Sequence, residues 1–427
     1  MTEIEATRVP AVACKGLPPE AVGLSSGALA HLAYNVGAGD LPLPVATLSR
    51  SALTHNIETM ARWCARHGVL LAPHGKTTLS PDLFRRQLTA GAWGITVTTA
   101  HHAAVAASAG VRRLIVANQL VDPVGLRILA SLADRCELEV YVFVDSETGL
   151  RRLEAAEAAS TGRFHALIEL GLHGGRTGVR DEDAFWRLLA AADGSPVPVA
   201  GVSAFEGLIP ITRPLDSRNT AAAAEGIQRL RRYLAQVADA IAHARDRGLL
   251  ARDSLVTAGG SSAFDQVVEY LGPLDGELIL RSGCYVTHDH GMYAMQSPLQ
   301  EGNLSGADPA EMLRPALAVW AHVISTPEPG AAVVGLGRRD AGHDAGMPAP
   351  LGRIAGHGTD EPVTGWTPIK MWDQHTLLQA TPAATPLTVG DVLRFGISHP
   401  CTTFDKWRTL VEIDDQNTVV GRLDTSF

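Results

Sequence analysis

Three short stretches of this 427-residue chain combine residue types that can do chemistry. The first is Val69-Leu70-Leu71-Ala72-Pro73-His74-Gly75-Lys76-Thr77, an apolar run of strand length that stops at a single lysine. Pro73 and Gly75 make the backbone turn there, so Lys76 projects from a strand end rather than from a solvated helix face. A partly buried lysine can give up its proton, and the neutral amine attacks a carbonyl to form a Schiff base. The plain alternative is a strand-capping lysine that snorkels to solvent. The second stretch is Thr257-Ala258-Gly259-Gly260-Ser261-Ser262-Ala263-Phe264-Asp265, a strand followed by glycines, small hydroxyl residues and a helix. Glycines let backbone N–H groups approach an anion, serines add hydroxyl donors, and the helix start adds partial positive charge, a combination that suits a phosphate. A simple N-cap by Ser262 is the other reading. The third is His399-Pro400-Cys401, whose two side chains would point the same way from an extended segment and could share zinc. Two such ligands alone rarely hold a metal.

These stretches are set out by alternating elements. Apolar runs at 69–74, 94–99, 113–119, 138–145, 164–170, 199–205, 254–259 and 277–285 alternate with helical spacing at 80–90, 101–109, 124–135, 146–159, 181–192 and 220–247. Near-continuous apolar strands alternating with helices call for a parallel sheet covered by helices. Eight units predict an α/β (β/α)8 TIM-type barrel; an open doubly wound sheet is the alternative, but its GxGxxG turn after the first strand is absent. Functional groups of such a barrel gather at the C-terminal strand ends. There the chain places His74 and Lys76, Asn118 and Gln119, the cluster Gly174-Gly175-Arg176-Thr177-Gly178, Phe205-Glu206-Gly207, Gly259 to Ser262, and Arg281 to Tyr285. Phosphate sites tend to form after strands seven and eight, which supply Gly260, Ser261, Ser262, Gly283 and Cys284. A phosphate anchor facing a strand-end lysine suggests pyridoxal phosphate.

After about residue 290 the alternation gives way to short strand-like segments rich in Gly and Pro, a mainly β C-terminal domain. The expected organisation is a lead-in over 1–41 that packs with the β domain, a barrel over 42–290 and a β-rich domain over 291–427. A formal net charge of −9 and the lack of basic runs argue against nucleic-acid binding. The N-terminal residues lack the apolar core of a signal peptide and no run of eighteen apolar residues occurs, so a cytoplasmic protein without a membrane partner is expected. Five scattered cysteines without a CxxC pair argue against a disulfide framework or a zinc finger. His288-Asp289-His290 reads as the turn leaving the barrel rather than a metal cluster.

The run Pro73-His74-Gly75-Lys76-Thr77, with Gln87-Leu88-x-Ala90-Gly91-Ala92-Trp93-Gly94-Ile95-Thr96 and Ala117-Asn118-Gln119, resembles the D-serine dehydratase / D-threonine aldolase family. That family is a branch of the fold-type III pyridoxal phosphate enzymes, with a barrel similar to that of alanine racemase. The resemblance covers about residues 40–290 and resumes near 390–410. It implies that Lys76 is the catalytic, cofactor-bearing lysine, that Arg176 lies near the cofactor phenolic oxygen with Gln119 beside it, and that Gly260, Ser261, Ser262, Gly283 and Cys284 cradle the phosphate. Arg281 falls where alanine racemases place an arginine against the pyridine nitrogen, an unusual feature for this branch. The resemblance also turns His399 and Cys401 into ligands of a divalent metal, zinc above all, since dehydratases tend to carry His and Cys there and aldolases His and Asp. Ser203 stands where dehydratases often carry an aromatic residue, and Ala204-Phe205-x-Gly207 is closer to the aldolase pattern. The implied activity is a pyridoxal-phosphate- and zinc-dependent lyase converting a small D-β-hydroxy-amino acid, D-serine or a relative, to a 2-oxo acid and ammonia. A D-threonine-type aldolase giving glycine and an aldehyde, or a non-catalytic carrier of the cofactor, are the alternatives, and a homodimer is implied.

Overall fold

A computed structural model of the chain describes residues 14–158, 163–211, 213, 221–303, 308–354 and 360–427, so residues 1–13 of the expected lead-in lie outside it. It divides into two compact units. One comprises the chain up to Thr54, Asp289–Met292 and Pro315–Phe427, and the other His55–His288 and Tyr293–Arg314.

The first strand, β1 (Val45–Ser49), falls in the stretch expected to open the barrel but belongs to the β-rich unit. Its inward residues Val45, Ala46 and Leu48 are buried. It pairs antiparallel with Leu317–Ser325, bringing Val45 opposite Trp320, and parallel with Thr409–Ile413. The helix Ser26–His31, whose N-cap Ser25 accepts from the Ala28 N–H, buries Leu29 in the same core as Val45, Trp320 and Val411. This apolar burial fixes the early chain to the β unit rather than to the barrel.

The other unit is an eight-stranded parallel sheet, borne out as the expected (β/α)8 barrel. Its strands are β2 (Leu70–Leu71), β3 (Ile95–Val97), β4 (Arg113–Gln119), β5 (Glu139–Val144), β6 (Phe164–Leu170), β7 (Val199–Ala204), β8 (Leu255–Ala258) and β9 (Leu278–Leu280). They are ordered β2-β9-β8-β7-β6-β5-β4-β3. The ring closes between β2 and β3 through a parallel bridge, His74 to Thr96, flanked by Trp93 N–H to Leu71 O at 2.7 Å and Thr96 N–H to Pro73 O at 2.9 Å. Inside, Ala72, Ile115, Tyr141, Phe143, Leu167 and Ile279 form a packed core, not a pore. The helix Ala221–Asp246 buries Ile227, Leu230, Leu234, Val237 and Ile241, the stripe its spacing predicts. No helix among the described residues is long and apolar enough to cross a membrane.

The β-rich unit's remaining strands pair antiparallel with one another: β10 (Leu317–Ser325), β11 (Ala331–Val334), β12 (Ala349–Ile354), β13 (Glu361–Pro362), β14 (Trp366–Met371), β15 (Thr376–Ala380), β16 (Val392–Gly396), β17 (Thr409–Ile413) and β18 (Val419–Asp424). The main path runs β13-β12-β16-β10-β1-β17-β18, with β11, β15 and β14 branching from β10. The chain leaves the barrel at His288, which adopts φ 47° and bonds Gln300 at 2.8 Å, in keeping with a structural turn there.

The barrel mouth depends on one buried tyrosine. Tyr233 donates to Leu170 O at the end of β6 (2.8 Å) and accepts from Phe205 N–H just beyond β7 (3.3 Å). Tyr233→Phe leaves Leu170 O and Phe205 N–H without their partner at a buried site and is expected to cost about 1–3 kcal/mol, read as a lower denaturation midpoint; an unchanged midpoint would show that these strand ends do not need the bridge.

Candidate functional site in the barrel and a histidine–cysteine pair in the β unit

Lys76 is the middle residue of a 3₁₀ turn, Gly75–Thr77, that follows β2. Gly75 is required there, because a Cβ would stand 2.7 Å from the Phe84 ring and 3.0 Å from Ile95. The turn buries Gly75 and Thr77 and presents Lys76 outward, so the lysine is exposed rather than partly buried as expected. The chain has four lysines, Lys15, Lys76, Lys370 and Lys406, and Lys76 is the one in the barrel unit. His74, just before the turn, gives its N–H to Arg281 O at 3.2 Å, while its buried Nδ1 has no partner. Burial, then the neighbouring charges of Lys76, Arg281 and His102, push its pKa well below the ordinary histidine value. The imidazole is neutral at pH 7.

Gln119 ends β4 and Arg176 lies in the loop that follows β6, two strands away, and the two are held separately. Gln119 gives its Nε2 to the buried carboxylate of Glu169 at 2.5 Å, leaving its own Oε1 buried and unpartnered. Arg176 lies over the Phe205 ring at 4.8 Å. Its loop is tied from inside by Arg180, whose guanidinium donates to Thr177 O (2.7 Å), Arg176 O (2.8 Å) and Gly175 O (3.3 Å). Asp145 secures the loop's far end by accepting from Gly178 N–H at 3.0 Å.

The turn after β8 has the expected glycine geometry, with Gly259 at φ 89°. Its amides are not open, however. The buried carboxylate of Glu206 accepts from Gly259 N–H at 3.1 Å and Gly260 N–H at 2.6 Å. Gly260 therefore has no free N–H, and the absence of a side chain spares a contact with Phe205, 3.1 Å from where a Cβ would sit. The following helix, Phe264–Leu271, has Ala263 as its N-cap and no side-chain cap, so the reading of Ser262 as a simple cap does not hold. Ser261 Oγ accepts from Cys284 N–H at 3.2 Å, and Cys284 Sγ meets Thr77 Oγ1 at 3.6 Å. Gly283 is compelled by closeness to the lysine turn: a Cβ would lie 2.5 Å from His74 O and 2.9 Å from Thr77 Oγ1. Arg281 is buried, its guanidinium fixed by Thr257 Oγ1 (2.8 Å) and Ala204 O (2.7 Å). Burial lowers its pKa, while Glu206 and Glu169 oppose the effect.

Within the β unit, His399 and Cys401 do hydrogen-bond to each other, though not through strand alternation. Pro400 is helical (φ −62°, ψ −46°) and Cys401 opens the short helix Cys401–Phe404, so the pair meets across a turn. Asp344 Oδ2 engages His399 Nδ1 at 2.7 Å, and Thr402 Oγ1 donates to Asp344 Oδ1 at 2.6 Å. Burial lowers the His399 pKa, but Cys401 and Asp344 outweigh it and raise the value to about 9. A carboxylate on Nδ1 leaves Nε2 as the metal-binding nitrogen, the arrangement that orients metal-ligating histidines.

Sequence reasoning gave no role to Glu206, Arg180 or Asp344. Glu206 stood among the strand-end residues without a role; Arg180 is recognised by the carbonyls of its own loop and Asp344 by His399, 55 positions along the chain.

Pyridoxal phosphate suits this barrel. His74 Nδ1, Gln119 Oε1 and Ser203 Oγ are buried polar atoms at or near the strand ends without protein partners, and the Gly-Gly-Ser-Ser turn feeds an uncapped helix start. Residues 48–267, half of the chain, match the family described as alanine racemase, N-terminal domain, and residues 316–413 match a serine dehydratase domain. A D-threonine aldolase of Arthrobacter sp. is 28% identical over 374 residues, 87% of this chain and 89% of that protein. The crystal structure of D-threonine aldolase from Filomicrobium marinum superposes with a TM-score of 0.74 at 27% identity, over 90% of this chain and 95% of that one. Structures of D-threo-3-hydroxyaspartate dehydratase share the fold at 22% identity: a histidine-to-alanine mutant (TM-score 0.71, 93% of this chain and 97% of that one) and a cysteine-to-alanine mutant in the metal-free form (TM-score 0.69, 92% and 99%). The two replaced residues are two positions apart. The chain thus belongs to the family built on the alanine racemase N-terminal domain, in its D-serine dehydratase / D-threonine aldolase branch of fold-type III pyridoxal phosphate proteins.

Proposed function

We propose that the protein is a pyridoxal-phosphate- and metal-dependent lyase acting on a small D-β-hydroxy-amino acid, releasing a 2-oxo acid and ammonia. The observation that carries this reading is the sole barrel lysine, Lys76, on the turn that also contacts the Gly283-Cys284 segment. Lys76 would hold the cofactor, Ser261, Ser262, Gly283 and Cys284 would receive its phosphate, and Arg176 and Gln119 would face its ring oxygen. His399 and Cys401 would hold a divalent metal, with zinc the metal their donor atoms suit best. When bound, pyridoxal phosphate supplies an electron sink for charge left at Cα, and the metal a Lewis acid for the β-hydroxyl.

The chain's own groups then have separable tasks. Lys76, as the free amine, takes the Cα proton. His74, neutral and next to the turn, adds no positive charge beside it. Arg281 is held by Thr257 and Ala204 and feels the charges of the buried carboxylates Glu206 and Glu169, a fixed cation in the barrel interior. Asp344 keeps His399 in the tautomer that presents Nε2.

The His-x-Cys spacing favours elimination, since it matches the spacing of the residues replaced in the dehydratase variants. Retro-aldol cleavage to glycine and an aldehyde is the second reading, favoured by similarity to D-threonine aldolases along most of the chain.

Protein reconstituted with pyridoxal phosphate and zinc is expected to form pyruvate and ammonia from D-serine, and Cys401→Ala to lose at least about 100-fold of that rate, a barrier raised by about 2.7 kcal/mol. Glycine formation from D-threonine without pyruvate from D-serine would move the assignment to the aldolase. Asp344→Asn is expected to weaken zinc by about 10–100-fold in competition with a chelating dye; unchanged affinity would remove His399 from the metal site.

A further inference from the structure

The connection leaving β7 carries two buried charges of opposite sign, and both end on the turn that follows β8. Glu206, 1% exposed, takes the N–H groups of Gly259 and Gly260 at 3.1 and 2.6 Å. Arg213, with a side chain 0% exposed, works on the turn's other end. Its Nη2 and Nε donate to Ser262 O at 2.9 and 3.3 Å, and Nε also reaches Gln296 O at 2.7 Å. The same guanidinium closes a two-pronged pair with Asp265, 2.6 and 3.1 Å, in the first turn of the helix Phe264–Leu271. The donors at the start of the turn thus meet an anion, and the acceptor at its end meets a cation.

Burying a carboxylate and a guanidinium is a poor way to gain stability, because their desolvation consumes most of what the contacts return. What these two obtain is geometry. A Gly-Gly-Ser-Ser segment is among the least constrained a chain can offer, and unsupported it would sample many shapes, at an entropic cost to any ligand that needed one of them. Held at both ends, it presents the Ser261 and Ser262 side chains and the uncapped helix start in a fixed arrangement.

We propose that Glu206 and Arg213 are positioning residues that hold the Gly259–Ser262 turn in the shape that receives the cofactor phosphate, without either touching the phosphate itself. This rests on the pyridoxal phosphate reading above. It separates the phosphate from the rest of the cofactor: the clamp matters for pyridoxal phosphate and is indifferent to pyridoxal, which has the same aldehyde and ring but nothing for the turn to hold.

The test is absorbance titration of the cofactor-free full-length protein with pyridoxal phosphate and, separately, with pyridoxal, for the wild type, Glu206→Gln, Arg213→Lys and Asp265→Asn. Gln at 206 presents an N–H to one of the two glycine amides it should satisfy, and Lys at 213 cannot make the two-pronged pair. Each of these two variants is expected to raise the Kd for pyridoxal phosphate about tenfold or more while leaving that for pyridoxal within about twofold. Asp265→Asn, the mildest change, is expected to shift the same ratio in the same direction by less. Equal losses for both compounds, with a lower melting temperature of the cofactor-free protein, would overturn the proposal by showing that the clamp supports the barrel in general. Unchanged affinity for both would overturn it as well. A wild type that binds pyridoxal phosphate no better than pyridoxal would instead remove the phosphate site, and the cofactor reading with it.

Discussion

Eight parallel strands make a barrel only if the first meets the last, and in this chain that seam is narrow. β2 contributes two ladder residues to β9, and Pro73, which faces the β3 side, offers that neighbour an acceptor but no N–H. The chain solves this by dividing residues 71–74 between two neighbours. Ala72 and His74 give their N–H groups to β9 and the residue after it, Leu280 O and Arg281 O, while Leu71 O and Pro73 O accept from Trp93 and Thr96 on the β3 side. Thr96 adds its hydroxyl, bonded to Ala72 O at 2.7 Å. Immediately beyond lies Gly75, wedged against Phe84 and Ile95, and then Lys76. The lysine is therefore placed by ring closure itself: both walls of the seam must be in register for the turn to exist.

Around that turn the barrel interior is unusually rich in buried polar groups for a packed core, and most of them are answered by backbone. Arg281 bonds a carbonyl and a threonine, Tyr233 bridges a carbonyl and an N–H, and Glu206 and Arg213 take the two ends of the glycine turn. A parallel sheet leaves carbonyls and amides unpaired at its strand ends, and buried side chains of the right charge complete them. Strand ends finished in this way are rigid, which is what a site that must orient a small substrate requires.

Much of this was legible in the sequence because it depends on local pattern. β4 and β6 run over Arg113–Gln119 and Phe164–Leu170, the spans their apolar runs suggested, since long buried strands leave little room for other readings. β2 and β9 are shorter than their apolar runs, because beyond Leu71 the chain divides its bonds between β9 and the β3 side and the turn at Gly283 follows closely on β9. β1 was hidden for a different reason: Val45–Ser49 looks like any buried strand, and only the partners Trp320 and Val411, hundreds of residues away, assign it to the sheet of the β-rich unit. The candidate site divides along the same line. Lys76, Ser261 and Ser262 sit in motifs whose glycines announce a turn. Asp344 meets His399 from 55 positions away in the chain, and Arg213 serves carbonyls that any residue could have offered, so neither leaves a mark in its own neighbourhood. The exposure of Lys76 was likewise invisible, because it is decided by a 3₁₀ turn that an apolar run does not foretell.

The most direct test of the central claim, that Lys76 is the cofactor lysine, is borohydride reduction of the protein reconstituted with pyridoxal phosphate, followed by peptide mass spectrometry. A single pyridoxyl group on the peptide containing Lys76 is the expected result. Label on Lys15, Lys370 or Lys406 instead, or none at all from protein that shows the cofactor's absorbance, would contradict it.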